Sequence, residues 1–380
     1  MERARLEPQI LVREMLPSEE RAVRELFKRS LGFLDRLFFL LAFREALGGA
    51  AKDRGGCLVA VCDGAIVGSV SLRVMSYGAV RAGLIDAIVA DRGFRGRGVG
   101  KSLLDAALQW LRGRGCEAVY ATADRYNSPS WNMFVHKGFS PYELPWQLKE
   151  LGFNLVRLWS SEFYFFAVGN FFLKRTDGEG GPREAAEMWH FLSAWLGLAL
   201  VWWLLIVRAG GPAPLIPMAL AVAGLSLSAH ELGHKLAAAR LGLRTTFKAW
   251  DSGLLFSSLL AVLFGAFFPA YGSTYARQID WRYDPERNET GLTYTAGPAI
   301  SLALAAAFLA SLKFANDPLL DAAGRIGYAT NLYLAVFNLL PIQGAGGFPW
   351  DGGKVFRWSR SAWLLLVTAV MALMLTDMLT

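Results

Sequence analysis

The sequence contains few of the residues that would build a disulfide framework or a highly charged surface. Its 380 residues include three cysteines and four histidines, and only 19% are Asp, Glu, Lys or Arg. Cys57, Cys62 and Cys116 lack metal-ligand spacing, and their odd number is typical of reduced thiols. Internal repeats and long low-complexity tracts are also missing. These absences exclude a disulfide framework and a repeat architecture.

Hydrophobic residues, in contrast, make up 54% of the chain and are unevenly distributed. Residues 1–187 have the mixed composition of a soluble domain, whereas long apolar runs dominate from residue 188 onward. The net charge is +7, and the excess Lys and Arg lie at the ends of the apolar runs, so we expect a lipid bilayer rather than nucleic acid as partner. Five stretches are long enough to cross a bilayer: 188–207, 215–236, 293–312, 320–340 and 362–378.

A glycine-rich turn separates a strand from a helix in the soluble half. The pattern predicts a strand at 84–90 and a helix over 101–114, and the sequence between them includes RGRGVG at 95–100. Glycines let a ligand approach the backbone, and the free N–H groups of a first helical turn attract anions such as phosphate. The spacing is not the G-x-G-x-x-G of dinucleotide-binding folds, and a simple tight turn is the alternative to a ligand site.

These residues resemble the GNAT acetyltransferase family. Arg95-x-x-Gly98-x-Gly100 is similar to its acetyl-CoA pyrophosphate loop, and Asn127 followed by the Lys-Gly-Phe of 137–139 is similar to a later family segment. The resemblance implies a mixed, mainly antiparallel sheet with flanking helices, in which 88–90 bind pantetheine through backbone groups. The acetyl-CoA-binding residues that it implies are Ile88, Val89, Ala90, Arg95, Gly96, Arg97, Gly98, Val99, Gly100, Lys101 and Asn127.

Within that family the chain is most similar to protein N-terminal acetyltransferases, with two departures. Phe134 stands where that branch has a tyrosine that protonates the leaving thiolate, and Thr122 stands where it often has a basic glutamate. Asp86, Asp124 and Tyr126 lie nearby as substitutes. The resemblance implies acetyl transfer to an amine such as a protein amino terminus, which positioning alone can accelerate. A protease regulated by a catalytically degenerate acyl-CoA sensor is the alternative.

Two of the four histidines lie in an apolar segment, in the motif His230-Glu231-x-x-His234. Residues four apart share one face of a helix, so both imidazoles can bind one zinc ion, and Glu231 can take a proton from a zinc-bound water. In a soluble helix the same pattern also arises by chance on a solvated face. Ionisable groups within a membrane span are costly and usually functional, which favours the zinc site. We interpret His136 and His190 as structural or interfacial.

Together with Asn338-x-x-Pro341 and a following Asp351-Gly352 pair, this motif resembles that of the site-2 protease family. The resemblance implies that Asp351 is the third zinc ligand, and that Asn338 and Pro341 shape the substrate groove. It also implies that the enzyme hydrolyses a peptide bond in a membrane-anchored protein, with Glu231 as the catalytic base.

The sequence thus predicts a GNAT domain at 1–175, a charged linker at 176–187 and a polytopic helical membrane domain at 188–380. The membrane domain has five to six hydrophobic segments. Since acetyl-CoA is found in the cytosol, we predict an integral protein of the cell membrane whose N-terminal domain is cytosolic.

The apolar segment 252–271 decides whether the zinc site can close. If this segment crossed the bilayer, Asp351 would lie on the opposite side from the histidines. We therefore predict that 247–275 enters the membrane and returns, which is tolerated only where protein or a water-filled cavity covers the backbone.

Overall fold

The computed structural model describes residues 10–30, 55–77, 80–176, 185–276, 288–342 and 350–379, and its contacts divide the chain into two units. One unit holds the chain up to residue 163 together with 171–184, and the other holds 164–170 with everything from residue 185 onward. The sequence predicts one linker, at 176–187, whereas the chain passes between the two units more than once. The additional passages arise at the loop 164–170, because Ser252 Oγ donates a hydrogen bond to Ala167 O and holds that loop in the second unit.

The first unit is built on one seven-stranded sheet. Its strands are β1 (Leu11–Glu14), β2 (Gly55–Cys62), β3 (Ala65–Tyr77), β4 (Val80–Ala90), β5 (Ala118–Asp124), β6 (Ser140–Pro141) and β7 (Asn170–Thr176). Their order in the sheet is β1-β2-β3-β4-β5-β7-β6. Neighbours from β1 to β4 are antiparallel, β4 and β5 are parallel, and β6 and β7 are antiparallel. This mixed, mainly antiparallel sheet confirms the predicted fold class.

Helices cover both faces of this sheet. They are α1 (Glu20–Ser30), α2 (Val99–Arg112), α3 (Ser128–His136), α4 (Leu144–Leu151) and α5 (Asn154–Ser161). The apolar side of α1 packs Leu26 and Phe27 against Val59 and Val89. Helix α2 packs on the opposite face of the sheet, because successive side chains of β3 point to alternate faces. All three cysteines are buried and free, and burial raises the pKa of Cys57 to about 11, so its thiol stays protonated.

The second unit is mainly helical. Its elements are α6 (Glu187–Arg208), α7 (Leu215–Arg240), β8 (Thr245–Ala249), α8 (Asp251–Phe264), β9 (Gly272–Ala276), α9 (Asn288–Ser311), α10 (Pro318–Asn338), α11 (Asp351–Trp358) and α12 (Arg360–Leu379). Within the described residues, four helices are long and apolar enough to cross a membrane, namely α6, α7, α9 with its extension to Phe314, and α12. Helix α10 is of similar length but carries Asp321 and Arg325.

The ambiguous segment 252–271 lies between two strands that pair with each other. Strands β8 and β9 are antiparallel, with Thr245 opposite Ala276 and Ala249 opposite Gly272. The chain that leaves the sheet after Ala249 therefore comes back beside it at Gly272. The 14-residue helix α8 between them is about 21 Å long, which is shorter than the hydrocarbon core of a bilayer. This is the return that a closed zinc site requires.

Candidate active sites

The second unit brings together the two motif histidines and Asp351, which lies more than a hundred residues later in the chain. His230 Nε2 and His234 Nε2 are 3.1 Å apart. Asp351 Oδ2 lies 3.1 Å from His234 Nε2 and 3.6 Å from His230 Nε2. All three residues are buried. The three atoms form a nearly equilateral triangle of two imidazole nitrogens and one carboxylate oxygen.

This triangle has the dimensions of one face of a zinc tetrahedron. Zinc bonded at about 2.0–2.1 Å in a tetrahedron separates its ligand atoms by roughly 3.3 Å. Gly297 of α9 faces the gap between the imidazoles, and a Cβ there would lie 2.2 Å from His234 Nε2 and 2.7 Å from His230 Nε2. The missing side chain thus leaves open the space next to the donor atoms. The donor set and this space fit a bound zinc ion.

The far side of each imidazole is held by helix α9. His234 Nδ1 is 2.8 Å from the backbone oxygen of Thr293, and His230 Nδ1 is 2.8 Å from Ser301 Oγ. A carbonyl can only accept, so His234 carries its proton on Nδ1 and presents the lone pair of Nε2 to the gap. Outer contacts of this kind set the tautomer and the ring orientation of metal-binding histidines.

Asp351 reaches the histidines because α11 begins at this residue and packs closely on the end of α10. A Cβ on Gly352 would lie 2.2 Å from the backbone of Leu339, so only glycine permits this approach. Trp363 Nε1 also donates a hydrogen bond to Leu339 O. The close contact explains why the Asp-Gly pair occurs at the start of α11.

Lys354 lies next to the second oxygen of the same carboxylate. Its side chain is fully buried, with Nζ 3.5 Å from Asp351 Oδ1 and 3.9 Å from the centre of the Tyr294 ring. A carboxylate and an aromatic face both stabilise a buried ammonium group. Because Lys354 faces Oδ1, the oxygen Oδ2 is the one directed to the histidines.

The predicted base lies beside this centre, and one of the two predicted groove residues is linked to the same region. Glu231 is buried, and its Oε2 accepts a hydrogen bond from Thr274 Oγ1. Asn338, at the end of α10, donates through Nδ2 to Tyr271 Oη over 3.5 Å. Pro341 follows α10 and is exposed. Asn338 therefore contacts the chain just before β9, which runs past Glu231.

In the first unit, the glycine-rich turn opens helix α2. Gly96 and Gly98 have φ of 77° and 82°, a left-handed conformation that other residues adopt only with strain. Gly98 is the N-cap of α2 and has no side chain to cap the N–H groups of the first turn. The loop around them is exposed and carries the basic side chains Arg95, Arg97 and Lys101. Uncapped N–H groups and positive charge together fit a pyrophosphate.

Beside this turn, the sheet opens between β4 and β5. Their parallel ladder runs from Ala82 opposite Ala118 to Ile85 opposite Ala121, and among the described residues it continues no further. Asp86 is the extra residue of a β-bulge, since Ala87 pairs with Ser71 and Ile85 with Leu72. In the part of the chain that the structure describes, residues 88–90 pair with β3 alone, so the backbone groups on their other edge are available to a pantetheine chain.

Comparisons with known proteins found relatives for each of the two units. A protein of Methanocaldococcus jannaschii that is provisionally named a zinc metalloprotease is 37% identical over 147 residues, which are 38% of this chain and 72% of that protein. The chain belongs to this metalloprotease's family. Residues 20–139 match the family model "Acetyltransferase (GNAT) family". A GNAT acetyltransferase domain is therefore fused to a unit like the site-2 proteases, as both sequence resemblances indicate.

Further similarities concern acetyltransferases. The mycothiol acetyltransferase of Beutenbergia cavernae is 35% identical over 79 residues, or 21% of this chain and 26% of that enzyme. The solved NatC complex bound to Gag peptide and CoA covers 45% of this chain and 99% of its own, at 15% identity and a TM-score of 0.35. A GNAT acetyltransferase of Streptococcus pneumoniae covers 35% and 86%, at 22% identity and a TM-score of 0.30.

The two departures from the N-terminal acetyltransferase branch lie in different surroundings in the GNAT domain. Phe134 is buried, and its ring packs edge-on against Phe139 at 5.1 Å between centroids, so it is part of the core. Thr122 is half-buried on β5. Asn127 caps α3, because its side chain accepts a hydrogen bond from Ser130 N. The structure thus gives Asn127 a local role in the fold.

Of the substitutes named from the sequence, Asp86 belongs to a buried ionic cluster. Arg73 Nη2 lies 2.6 Å from Asp86 Oδ1 and 3.4 Å from Glu162 Oε1. Burial, followed by repulsion from Asp86, raises the pKa of Glu162 well above its usual range. Asp124, in contrast, accepts a hydrogen bond from its neighbour Tyr126 N, and Tyr126 is buried. No sequence pattern links Arg73 or Glu162 to Asp86, because the three meet only in the folded domain, where Glu162 follows α5.

Proposed function

We propose that the second unit is a zinc metalloprotease embedded in the membrane, which cleaves membrane-anchored proteins. The observation that carries this proposal is the buried triangle of His230 Nε2, His234 Nε2 and Asp351 Oδ2 with Gly297 facing it. The provisional name of the archaeal relative supports it. Two of the helices that form the site, α7 and α9, are long and apolar enough to cross a membrane, which supports a substrate held in the bilayer.

When bound, zinc supplies a Lewis acid for the scissile carbonyl and lowers the pKa of a water molecule. The protein groups have separate tasks in the reaction. The Nδ1 contacts of His230 and His234 hold both rings with Nε2 directed into the site, and the carbonyl partner of His234 leaves the lone pair of that residue on Nε2. Glu231 accepts a proton from the attacking water, whose oxygen bonds to the carbonyl carbon, and then delivers that proton to the nitrogen of the breaking C–N bond. The products are a carboxylate and an amine.

Replacing Glu231 with glutamine should stop proteolysis while zinc remains bound. The amide keeps the size of the side chain but cannot take the proton, and loss of a general base costs about 10²–10⁴-fold in rate. Proteomics of membrane fractions should show substrates that stay full-length in cells with Glu231→Gln and are shortened in wild type. Metal analysis of both purified proteins provides the control. Equal fragment patterns in the two strains would exclude Glu231 as the base.

We propose further that the GNAT domain transfers the acetyl group of acetyl-CoA to an amine, with protein amino termini as the acceptor class, and that this domain lies in the cytosol beside the cell membrane. The open edge of β4 and the uncapped start of α2 support the cofactor site.

A second candidate, acyl-CoA sensing without transfer, is favoured by the buried Phe134, which has no proton to give. Incubating the full-length protein with acetyl-CoA and a peptide whose amino terminus is free separates the two: acetylated peptide supports transfer, and binding without product supports sensing.

Changing Gly98 to alanine should weaken acetyl-CoA binding about tenfold or more. An L-residue at φ of 82° is strained by about 1–2 kcal/mol, and relief of that strain would turn the N–H groups of α2 away from the pyrophosphate. Gly64 offers a matched control, because its φ is 75° and a Cβ there meets nothing within 4 Å. Calorimetric titration of both variants with acetyl-CoA should show a loss only for Gly98→Ala. Equal affinities would place the pyrophosphate elsewhere.

A further inference from the structure

A threonine that belongs to no sequence motif contacts the proposed catalytic base. Thr274 lies in the middle of β9, and its Oγ1 donates a hydrogen bond to Glu231 Oε2. Both residues are almost completely buried, with 1% and 4% of their surface exposed. In such surroundings a hydrogen bond to a carboxylate is strong and directional.

The backbone of Thr274, which carries this hydroxyl, is held in place from two sides. Strand β8 pairs with β9 so that Phe247 is opposite Thr274. From α9, Tyr294 Oη donates a hydrogen bond to the backbone oxygen of Thr274 over 2.9 Å. Threonine is branched at Cβ, which restricts its χ1 rotation. A fixed backbone and a stiff side chain together give the hydroxyl one position.

The same Tyr294 also borders the other side of the zinc site. Its ring supports Lys354, and Lys354 faces Oδ1 of Asp351. One residue of α9 therefore contacts both the strand that holds the base and the lysine beside the third ligand. This arrangement favours a constant distance between Glu231 and the zinc ligands.

We propose that Thr274 is a positioning residue that fixes one oxygen of Glu231, so that the other oxygen is directed to the attacking water. The proposal rests on the proposed protease function and extends it to a residue outside both motifs. A glutamate side chain has three rotatable bonds, so an unrestrained carboxylate would spend much of its time out of line with the water. Misplacement of a reacting group by about 1 Å can cost roughly 10²-fold in rate.

The test compares three substitutions in the purified full-length protein. The probe is a synthetic peptide with one apolar helix interrupted by Gly-Pro, with a fluorophore and a quencher at its ends, in detergent micelles. Thr274→Val removes the hydroxyl at nearly constant volume and should lower kcat about 10²-fold, with KM and bound zinc unchanged. Thr274→Ser keeps the hydroxyl and should restore most of the rate. Thr295→Val is the control, because within the described residues this half-buried hydroxyl bonds to Gly291 O of its own helix alone.

Two further measurements separate failure of the inference from failure of the protease assignment. In a Glu231→Ala background, Thr274→Val should have no additional effect on the residual rate. The melting temperature should show the same coupling without any turnover, because the double variant should lose less than the sum of the two single variants. Wild-type activity together with unchanged kcat in Thr274→Val, or equal losses in Thr274→Val and Thr274→Ser, would overturn the role of Thr274. Loss of activity in wild type and Glu231→Ala alike would instead remove the protease function.

Discussion

Replacing Gly297 with alanine should abolish zinc binding, and with it proteolysis, in an otherwise folded membrane unit. The added Cβ would lie 2.2 Å from His234 Nε2 and 2.7 Å from His230 Nε2, inside the space that a metal bound to both nitrogens must share. Helices α7 and α9 would have to separate to admit it, and overpacking of this kind costs about 1–3 kcal/mol. Zinc content of the purified protein should fall from about one ion per chain to below about a tenth.

The control for this prediction needs a similar steric conflict away from the zinc ligands. Gly327 of α10 supplies it, since a Cβ there would lie 2.5 Å from the ring of Phe308 on α9. We expect Gly327→Ala to lower thermal stability while it keeps its zinc. Circular dichroism in detergent should show that both variants remain helical. A Gly297→Ala protein with stoichiometric zinc would contradict the placement of the metal beside this glycine.

Replacing Asp351 with asparagine should weaken zinc binding by at least about 100-fold, because even the outer contacts of a zinc site contribute about 10–100-fold. Asparagine has nearly the same shape but removes the negative charge and the carboxylate oxygen that lies 3.1 Å from His234 Nε2. The change also takes the carboxylate away from Lys354, which is fully buried, so the apoprotein should lose stability as well.

Zinc affinity of this variant can be measured by titration against a competing chelator. Asp321→Asn is the matched control, because Asp321 pairs with Arg325 at the start of α10 and is partly exposed. It should bind zinc as the wild type does. If Asp351→Asn kept its affinity, the third ligand would have to be a different residue, and the likeness to the site-2 protease motif would not extend to Asp351.

Several parts of the structure could be predicted because they depend on residues that are close together in the sequence. The spacing of His230 and His234 places both imidazoles on one face of α7 wherever that helix packs. The change in composition near residue 188 separates a soluble from an apolar unit, and two units of that kind are present. The glycines before Val99 mark the start of α2 in the same local way.

Other parts could not be predicted because they depend on contacts between distant segments. The apolar composition of segment 252–271 suggests a membrane span, and its return is predicted only because the zinc site implied by the family resemblance has to close. The pairing of β8 with β9 brings the chain back. The loop at 164–170 belongs to the second unit through the contact of Ala167 with Ser252, which local composition does not indicate.

The candidate zinc site contains both kinds of feature, those set by local sequence and those set by contacts between distant segments. The sequence by itself determined that His230, Glu231 and His234 lie together on one helix, since their spacing follows from the helical repeat, and its resemblance to a family implied Asp351 as the third zinc ligand. Only the tertiary structure decided that Gly297 leaves room for a metal, that Lys354 faces one carboxylate oxygen and that Thr274 contacts Glu231. The physical reason is that a helix repeats every 3.6 residues whatever surrounds it, whereas the partner of a buried group depends on which other elements pack against it.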